Sequence, residues 1–184
     1  ETAARDVEKT IVDAAHGQLS VVSVTKRQRR RNPTAPFTTS TLQQEASRKL
    51  GFNTQRTMRV AQKLYEGIEL PGEDNVGLIS YMRTDSVTLA AVAVDEIRAL
   101  IAERYGSDNV PDAPREVKNK SKNAQEAHEA IRPPSVAYVP EDIKGSLDED
   151  QYKLYSLIWK RTMACQMVPA VFDTVAIEMA AGDA

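Results

Sequence analysis

The sequence predicts a mainly α-helical fold with a few β-strands, in which a helical region is inserted between strand segments near the two ends of the chain. Residues 19–26 are rich in β-branched side chains, and residues 168–179 alternate between apolar and polar side chains, as strands do. Between these segments, apolar residues recur at helical spacing. We therefore expect the two strands to belong to one sheet-containing unit that is interrupted by a helical insertion.

A dense group of basic residues follows the first predicted strand, and a looser group lies in a later loop. The first group is Lys26, Arg27, Arg29, Arg30 and Arg31, and the second is Arg115, Lys118, Lys120 and Lys122. A run of charge is most often a solvated face. Local basic clusters can also bind phosphates, even on a chain whose net charge is −2. Residues 32–36 contain two prolines and cannot form regular structure.

Two short helices are predicted next. Ser40 and Gln43 have the spacing of a capping box, and Gly51 can end the first helix. Asn53 or Thr54 can cap the second helix. The pair resembles a helix-turn-helix, which is a weak indication of DNA binding because short helices around a glycine occur in folds of every function.

Five further elements are predicted from apolar spacing and from the positions of capping residues, glycines and prolines. In chain order they are an extended segment over residues 77–82, a long helix capped by Asp85 or Ser86 and ended by Gly106, a loop over residues 108–123, a short helix over residues 124–131, and a last helix over residues 148–167.

The composition is that of an ordinary globular protein, and it excludes several classes of site. The 184 residues are 41% hydrophobic and 27% charged. Cys165 is the only cysteine, which excludes a disulfide framework and a zinc site made of thiolates from this chain alone. No apolar run approaches the roughly 20 residues of a membrane span, so we expect no membrane partner. The sequence also lacks the glycine-rich loop of nucleotide-binding P-loops.

The residues that could bind a metal are scattered. His16 and His128 are far apart and have no partners at the spacing of metal ligands. The acidic triplet at residues 148–150 stands where the last helix is predicted to start, and helix capping explains it better than metal binding. We therefore expect no metal site in this chain.

The densest group of reactive side chains lies in residues 80–86, Ser-Tyr-Met-Arg-Thr-Asp-Ser. If this segment is extended, Tyr81 and Arg83 lie on one face and can meet one phosphate. The guanidinium can donate two parallel hydrogen bonds, and a helix start near Asp85 would add free backbone N–H groups. A nearby cation also favours the phenolate, so the group fits nucleophilic attack on phosphorus. The alternative is structural: a tyrosine at a strand end, a surface arginine and an ordinary helix cap.

A second candidate group surrounds His128. Glu126 and Glu129 flank this histidine, and Arg132 follows it by one turn of the predicted helix. A histidine near a phosphodiester could donate a proton or bind the backbone. A half-buried histidine on a helix is the alternative interpretation.

Four segments, taken together and in order, resemble the bacterial DNA topoisomerase I family, whose members are type IA DNA topoisomerases. The segments are PFTTSTLQQ at residues 36–44, TM at 57–58 with AQKLYE at 61–66, GLISYMRTDS at 77–86, and NAQEAHEAIRP at 123–133. The resemblance extends over residues 33–179. Ser80 and Val87 stand where many relatives are expected to have threonine.

The resemblance implies an isomerase that relaxes negative supercoils without ATP. Tyr81 would cleave single-stranded DNA and form a transient 5′-phosphotyrosine bond, and the free 3′-OH would later attack this bond to rejoin the strand. Arg83 would hold the scissile phosphate, and His128 would support the phosphate or the DNA backbone. The other residues expected to contact DNA are Arg132, Thr84, Asp85, Lys122 and Gln43.

The resemblance also implies that parts of the enzyme lie outside this sequence. Family members have a Toprim domain that binds Mg²⁺ and supplies a glutamate and a lysine, and no Asp-x-Asp motif on a predicted strand is present here. The chain starts Glu1-Thr2 without an initiator methionine, so we interpret it as an internal fragment that cannot relax DNA alone. The implied partners are single-stranded or negatively supercoiled DNA and the remaining domains, for a monomer in the bacterial cytoplasm associated with the nucleoid.

The family architecture implies three parts of the chain. Residues 1–40 would be the first strand segment of an arch domain with a basic linker, residues 41–167 the helical domain that carries the catalytic tyrosine, and residues 168–184 the returning arch strand.

Three other functions are compatible with parts of the sequence. A non-catalytic DNA-binding module would use the basic clusters and leave Tyr81 structural. A tyrosine recombinase would need its arginine and histidine before the tyrosine, whereas Arg83 and His128 follow Tyr81. An interaction scaffold would not bind single-stranded DNA in a salt-dependent way.

Overall fold

The computed structural model describes residues 2–117 and 128–182. The described residues divide into two compact units, one within Glu1–Arg31 and Pro169–Ala184 and the other within Asn32–Val168. The helices are α1 (Thr2–Ala15), α2 (Thr39–Leu50), α3 (Thr54–Glu66), α4 (Ala91–Tyr105) and α5 (Glu149–Cys165), and the strands are β1 (Ser20–Arg31), β2 (Ile68–Glu69), β3 (Asn75–Val76) and β4 (Ala170–Ala180). Among these described helices, none combines the length and apolar character needed to cross a membrane.

The first unit is a two-stranded antiparallel ribbon of β1 and β4, together with α1. The pairing of distant strands confirms the prediction that both ends contribute to one sheet. The prediction ended β1 too early, because the strand continues through the basic cluster and Arg31 still pairs with Ala170. Helix α1 was not predicted, although Val7 and Ile11 have helical spacing, and none of its described residues is buried.

Helices α2 and α3 form the predicted pair and pack against each other. The predicted capping box at Ser40 and Gln43 is wrong. The N-cap of α2 is Thr38, whose side chain accepts from the backbone N–H of Thr41, and Thr41 accepts in return from the backbone of Thr38. Gly51 ends α2 as predicted, in a left-handed conformation with φ of 68° that glycine adopts without strain.

Asn53 is the N-cap of α3, which resolves the choice between Asn53 and Thr54. Its side-chain oxygen accepts from the backbone N–H of Arg56 at 2.8 Å. The guanidinium of Arg56 also binds Asp150 through two hydrogen bonds of 2.7 and 2.8 Å, which lower the pKa of that carboxyl group. Asp148 caps α5 and forms a capping box with Gln151. The capping interpretation of the acidic triplet is therefore confirmed at Asp148.

The predicted start of the long helix at Asp85 or Ser86 is wrong, since α4 begins at Ala91. The Thr84 hydroxyl accepts from the backbone N–H of Ser86 at 3.0 Å, and the Ser86 hydroxyl accepts from Thr88 at 3.1 Å. These local bonds compete with helical ones, and residues 83–90 are not helical. Helix α4 ends at Gly106, as predicted.

The two segments around the candidate residues also differ from their predictions. Residues 77–82 contain bends and no strand, and they follow the small β2–β3 ladder, which was not predicted. Residues 128–131 are not helical, and Ile131 instead forms an isolated bridge with Phe37. The rest of the predicted helix, at residues 124–127, lies outside the described residues.

The core of the second unit lies where α5 packs against α2, α3 and α4. Fully or almost fully buried apolar residues from these helices and from the loops form one cluster. The Trp159 indole N–H donates to the backbone oxygen of Val136 at 2.9 Å, and the Tyr155 hydroxyl donates to that of Tyr138 at 2.6 Å. Polar atoms of the buried aromatic residues thus also fix the loop that leads into α5.

We expect Asn53→Ala to lower the free energy of unfolding by about 1 kcal/mol, because the first turn of α3 loses its side-chain cap. Thr54→Ala is the matched control and should change it by less than about 0.5 kcal/mol, since Thr54 makes no cap hydrogen bond. Urea denaturation measures both values. A larger effect at Thr54 than at Asn53 would contradict the assigned cap.

Candidate active site

Tyr81 presents its ring to solvent from a segment whose neighbours are buried. The side chain is 46% exposed, whereas Ile79 and Met82 are 2% and 1% exposed. The ring of Tyr65 lies edge-on to that of Tyr81, with 5.4 Å between the centroids and an interplanar angle of 65°. The buried neighbours anchor the backbone, so the phenol is both accessible and held in place.

Gly77 allows this segment to approach the end of α3. A Cβ atom at this position would lie 2.9 Å from the backbone oxygen of Tyr65, which is too close without a shift of the backbone. The next residue, Leu78, donates its N–H to the oxygen of Leu64 at 2.7 Å. The beginning of the Tyr81 segment therefore lies against the C-terminal turn of the helix that carries Tyr65.

Ser80 fastens the Tyr81 segment to the segment that follows His128. The Ser80 N–H donates to the Arg132 oxygen at 2.8 Å, and the Arg132 N–H donates to the Ser80 hydroxyl oxygen at 3.0 Å. The same hydroxyl donates to the backbone oxygen of Ala130 at 2.7 Å. The structure thus brings together the two groups of candidate residues that the sequence indicated separately.

Thr39 holds the other side of the site, a role that no pattern in the sequence indicated. Its hydroxyl donates to the backbone oxygen of Met82 at 2.7 Å and accepts from the Thr84 N–H at 2.9 Å. The Thr39 N–H also donates to the Thr84 oxygen at 2.9 Å. The residues on both sides of Arg83 are therefore fixed by the first turn of α2, while the Arg83 side chain is exposed.

Glu129 connects the His128 segment to the start of α4. One carboxylate oxygen accepts from the N–H of Ala90 at 3.0 Å, and the other accepts from the Arg132 guanidinium at 2.7 and 2.8 Å. The guanidinium also donates to the backbone oxygen of Pro133 at 2.8 Å, and the Arg132 side chain is 15% exposed. These contacts place Arg132 in a role inside the protein, and its contact with DNA stays a prediction.

The other predicted residues occupy different environments. Asp85 and His128 are exposed, and Thr84 is half-buried and hydrogen-bonded within the site. The free N–H groups expected near Asp85 belong instead to the first turn of α4 at Ala91. Gln43 lies in a polar surface groove between α2 and the start of α3, next to Ser40 and Arg48. Lys122 lies outside the described residues.

The described residues offer no group of three or more histidine, cysteine, aspartate or glutamate side chains that could hold a metal ion. The carboxylate of Glu129 is already bound to Arg132 and to the backbone N–H of Ala90. This donor set does not fit a Mg²⁺ site, and the chemistry described below uses no metal held by these residues.

Comparison with known proteins identifies the family. A sequence model described as DNA topoisomerase matches residues 1–184. The chain belongs to the bacterial type I DNA topoisomerase family. The resemblance seen in the sequence is therefore confirmed.

Similar proteins include topoisomerases of known sequence and structure. DNA topoisomerase 1 of Xylella fastidiosa (strain Temecula1) is 53% identical over 176 residues, which are 96% of this chain and 22% of that protein. DNA topoisomerase 1 of Rickettsia bellii is 57% identical over 155 residues, 84% of this chain and 19% of that protein. The full-length topoisomerase I of Thermotoga maritima has a TM-score of 0.74 and 41% identity, over 90% of this chain and 26% of that chain. The chain thus spans about a fifth of the length of the two relatives compared by sequence.

We expect Ser80→Ala to lower the free energy of unfolding of this topoisomerase segment by about 1–3 kcal/mol, because the change leaves the half-buried Arg132 N–H and Ala130 oxygen without their partner. Ser47→Ala, at an exposed position of α2, is the control and should change it by less than about 0.5 kcal/mol. Urea unfolding of both variants gives the comparison. Equal effects at the two positions would mean that the Ser80 hydroxyl does not hold the segments together.

Proposed function

We propose that this chain supplies the nucleophile of a type IA DNA topoisomerase and that the nucleophile is Tyr81. The observation that supports the proposal is the exposed phenol on a fixed backbone, two residues before the exposed guanidinium of Arg83. A nucleophile needs an accessible reactive atom in a held geometry, and a phosphate needs a cation beside it. Both conditions are met by side chains of one short segment.

The reaction is a reversible transesterification. The Tyr81 oxygen bonds to the phosphorus of a single-stranded phosphodiester as the bond from phosphorus to the 3′ oxygen breaks. The phenol proton leaves, and the departing 3′ oxygen takes up a proton to become a hydroxyl group. The 3′-OH later attacks the 5′-phosphotyrosine bond and restores both starting groups. One ester is exchanged for another in each direction, so relaxation of negative supercoils needs no ATP.

Arg83 and His128 have supporting roles in this proposal. Arg83 is the side chain best placed by sequence and exposure to hold the scissile phosphate through charge-assisted hydrogen bonds. His128 is exposed and precedes the segment that Ser80 fastens beside Tyr81, so it can support the phosphate or the neighbouring DNA backbone. Asp85 and Thr84 complete the segment next to Arg83, and Gln43 and Lys122 are proposed as more distant DNA contacts.

The rest of the enzyme's machinery is proposed to come from other domains. Mg²⁺ would be bound by the Toprim domain of the full-length protein, where it would help to neutralise the charge on the phosphate. Residues 41–167 would form the tyrosine-bearing domain, and residues 1–40 and 168–184 would belong to the arch. The partners would be single-stranded or negatively supercoiled DNA and the remaining domains of a monomer that acts at the nucleoid in the cytoplasm.

Replacing Tyr81 by phenylalanine tests the nucleophile. The full-length polypeptide that contains this segment is incubated with Mg²⁺ and a 3′-end-labelled single strand, and denaturant stops the reaction. We expect a labelled protein adduct with the wild type and none with Tyr81→Phe, because phenylalanine has no oxygen to bond to phosphorus. The 3′ label follows the DNA end that a 5′-phosphotyrosine retains.

Tyr65→Phe is the matched control for this experiment. Tyr65 is a second exposed tyrosine whose ring contacts that of Tyr81, and phenylalanine preserves this contact. The adduct should therefore persist in Tyr65→Phe. An adduct that survives Tyr81→Phe, or a folded wild type that binds DNA without forming any adduct, would remove Tyr81 from the chemistry and favour a non-catalytic DNA-binding module.

The 184-residue chain on its own should not relax negatively supercoiled plasmid DNA in the presence of Mg²⁺. The described residues offer no cluster of three or more histidine, cysteine, aspartate or glutamate side chains that could hold a metal ion, and the proposed reaction needs groups from the Toprim domain. Agarose gel electrophoresis of plasmid topoisomers measures this, with the full-length polypeptide as the positive control. Relaxation by the isolated chain that disappears in Tyr81→Phe would show that the other domains are dispensable.

A further inference from the structure

We propose that one face of the β1–β4 ribbon is a second binding surface for single-stranded DNA, separate from the Tyr81 segment. The surface consists of Arg27, Arg29 and Arg31 on β1 and Phe172 on β4, and we call it the arginine face. It would contact the phosphate backbone with its cations and a base with its aromatic ring. The proposal does not require Tyr81 to be a nucleophile.

The register of the ribbon sorts its residues between two faces. Residues directly opposite each other in an antiparallel pair point to the same side of the sheet, and alternate residues along a strand do so too. Arg27 pairs with Thr174, Arg29 with Phe172 and Arg31 with Ala170. These six residues therefore share one face, along which three guanidinium groups follow at intervals of two residues.

The opposite face of the ribbon is apolar near the beginning of β1. A register shift between Val21 and Ser23 lets Val21 pair with Met179 on the same side as the pair formed by Val24 and Ile177. These four apolar side chains, together with Val175, form an apolar face. The shift therefore places Val21 on the same side as Val24 and Val175, opposite the three arginines.

The arginine face is accessible over its whole length. Residues 26–31 and 170–179 are exposed, and Phe172 is 48% exposed. Within the described part of the chain, no carboxylate forms an ion pair with Arg27, Arg29 or Arg31. The acidic residue on this face, Glu178, lies at the other end of the ribbon and accepts a hydrogen bond from Ser23.

The spacing and chemistry of the arginine face fit an extended polyanion. Two residues along a strand advance by about 6.7 Å, so the three arginines form a row of about 13 Å that can meet successive phosphates. Arginine is suited to phosphate because its planar fork donates two hydrogen bonds. Phe172 lies opposite the middle arginine and offers a ring on which a base can stack. Stacking needs an unpaired base, which favours a single strand over a duplex.

The test compares two pairs of substitutions that remove the same charge from the same strand. Arg27→Gln with Arg29→Gln neutralises the arginine face, and Lys26→Gln with Arg30→Gln is the matched control on the opposite face. All variants also carry Tyr81→Phe, so that cleavage cannot contribute. Fluorescence anisotropy with a labelled oligothymidylate gives the affinity over a salt series, and circular dichroism verifies that the strands are retained.

We expect the arginine-face pair to weaken binding about tenfold at moderate salt and to reduce the slope of log affinity against log salt by about 1.4, as the loss of two phosphate contacts requires. The control pair should change both values much less. Phe172→Leu should weaken binding about fivefold or more through lost stacking, whereas Ile177→Leu on the apolar face should not.

Three results would overturn the proposal. Equal effects of the two charge pairs would show only a general attraction of the basic strand. Equal competition by an unlabelled duplex of the same phosphate number would exclude recognition of a single strand. The third result comes from the same variants made in the full-length polypeptide. If the arginine-face pair did not weaken DNA binding there, other domains would cover the arginine face. The adduct assay with Tyr81→Phe is independent of all three results.

Discussion

Hydrogen bonds from one serine join the two segments on which the candidate active site depends. Ser80 exchanges backbone and hydroxyl bonds with Arg132 and donates to Ala130, so the residue before Tyr81 is tied to the segment after His128. Neither segment is a helix or a strand, and a segment without regular structure must find its hydrogen-bond partners elsewhere. Here polar groups of the two segments form hydrogen bonds with each other. These bonds fix the backbone from which the Tyr81 side chain extends.

Helices α2 and α5 hold the His128 segment through Phe37. Ile131 donates its N–H to the oxygen of Phe37, and the Arg161 guanidinium of α5 lies 4.3 Å from the centre of the Phe37 ring. Arg161 also forms an ion pair with Glu45 of α2 at 3.5 Å. Burial of Arg161 lowers the pKa of its guanidinium, and the hydrogen bond from Lys49 lowers the pKa of the Glu45 carboxyl group. The Arg161 guanidinium thus connects α5 and α2 to the ring of Phe37. Phe37 in turn holds Ile131 through the isolated bridge.

The arginines of the two units differ in burial and in ion pairing. In the helical unit, Arg132 and Arg161 are largely buried and bound to carboxylates, whereas Arg83 is exposed beside Tyr81. In the ribbon, the arginines of β1 are all exposed, and Arg27, Arg29 and Arg31 follow the alternation of the strand. Buried arginines with carboxylate partners stabilise the fold, and exposed arginines in a row or beside the proposed nucleophile remain available to an anionic ligand.

The sequence by itself determined the local features. The glycine that ends α2, the cap of α5 and the presence of a strand near each end of the chain were predicted correctly, because each depends on residues within a few positions of one another. The cap of α3 was one of two predicted candidates, and β1 extends five residues beyond its predicted end. The motif around Tyr81, together with three other segments, also indicated the family. Even locally, the cap of α2 was misplaced, since threonine at position 38 competes with serine at position 40 for the same role.

Only the tertiary structure decided which residues meet. The start of α4 at Ala91, the non-helical backbone at residues 128–131 and the bends at residues 77–82 all satisfy hydrogen bonds to distant parts of the chain. Ser80 and its partners Ala130 and Arg132 are separated by 50 and 52 residues, so no pattern of spacing in the sequence could pair them. Burial of the surrounding apolar side chains sets that pairing, and with it the exposure of Tyr81.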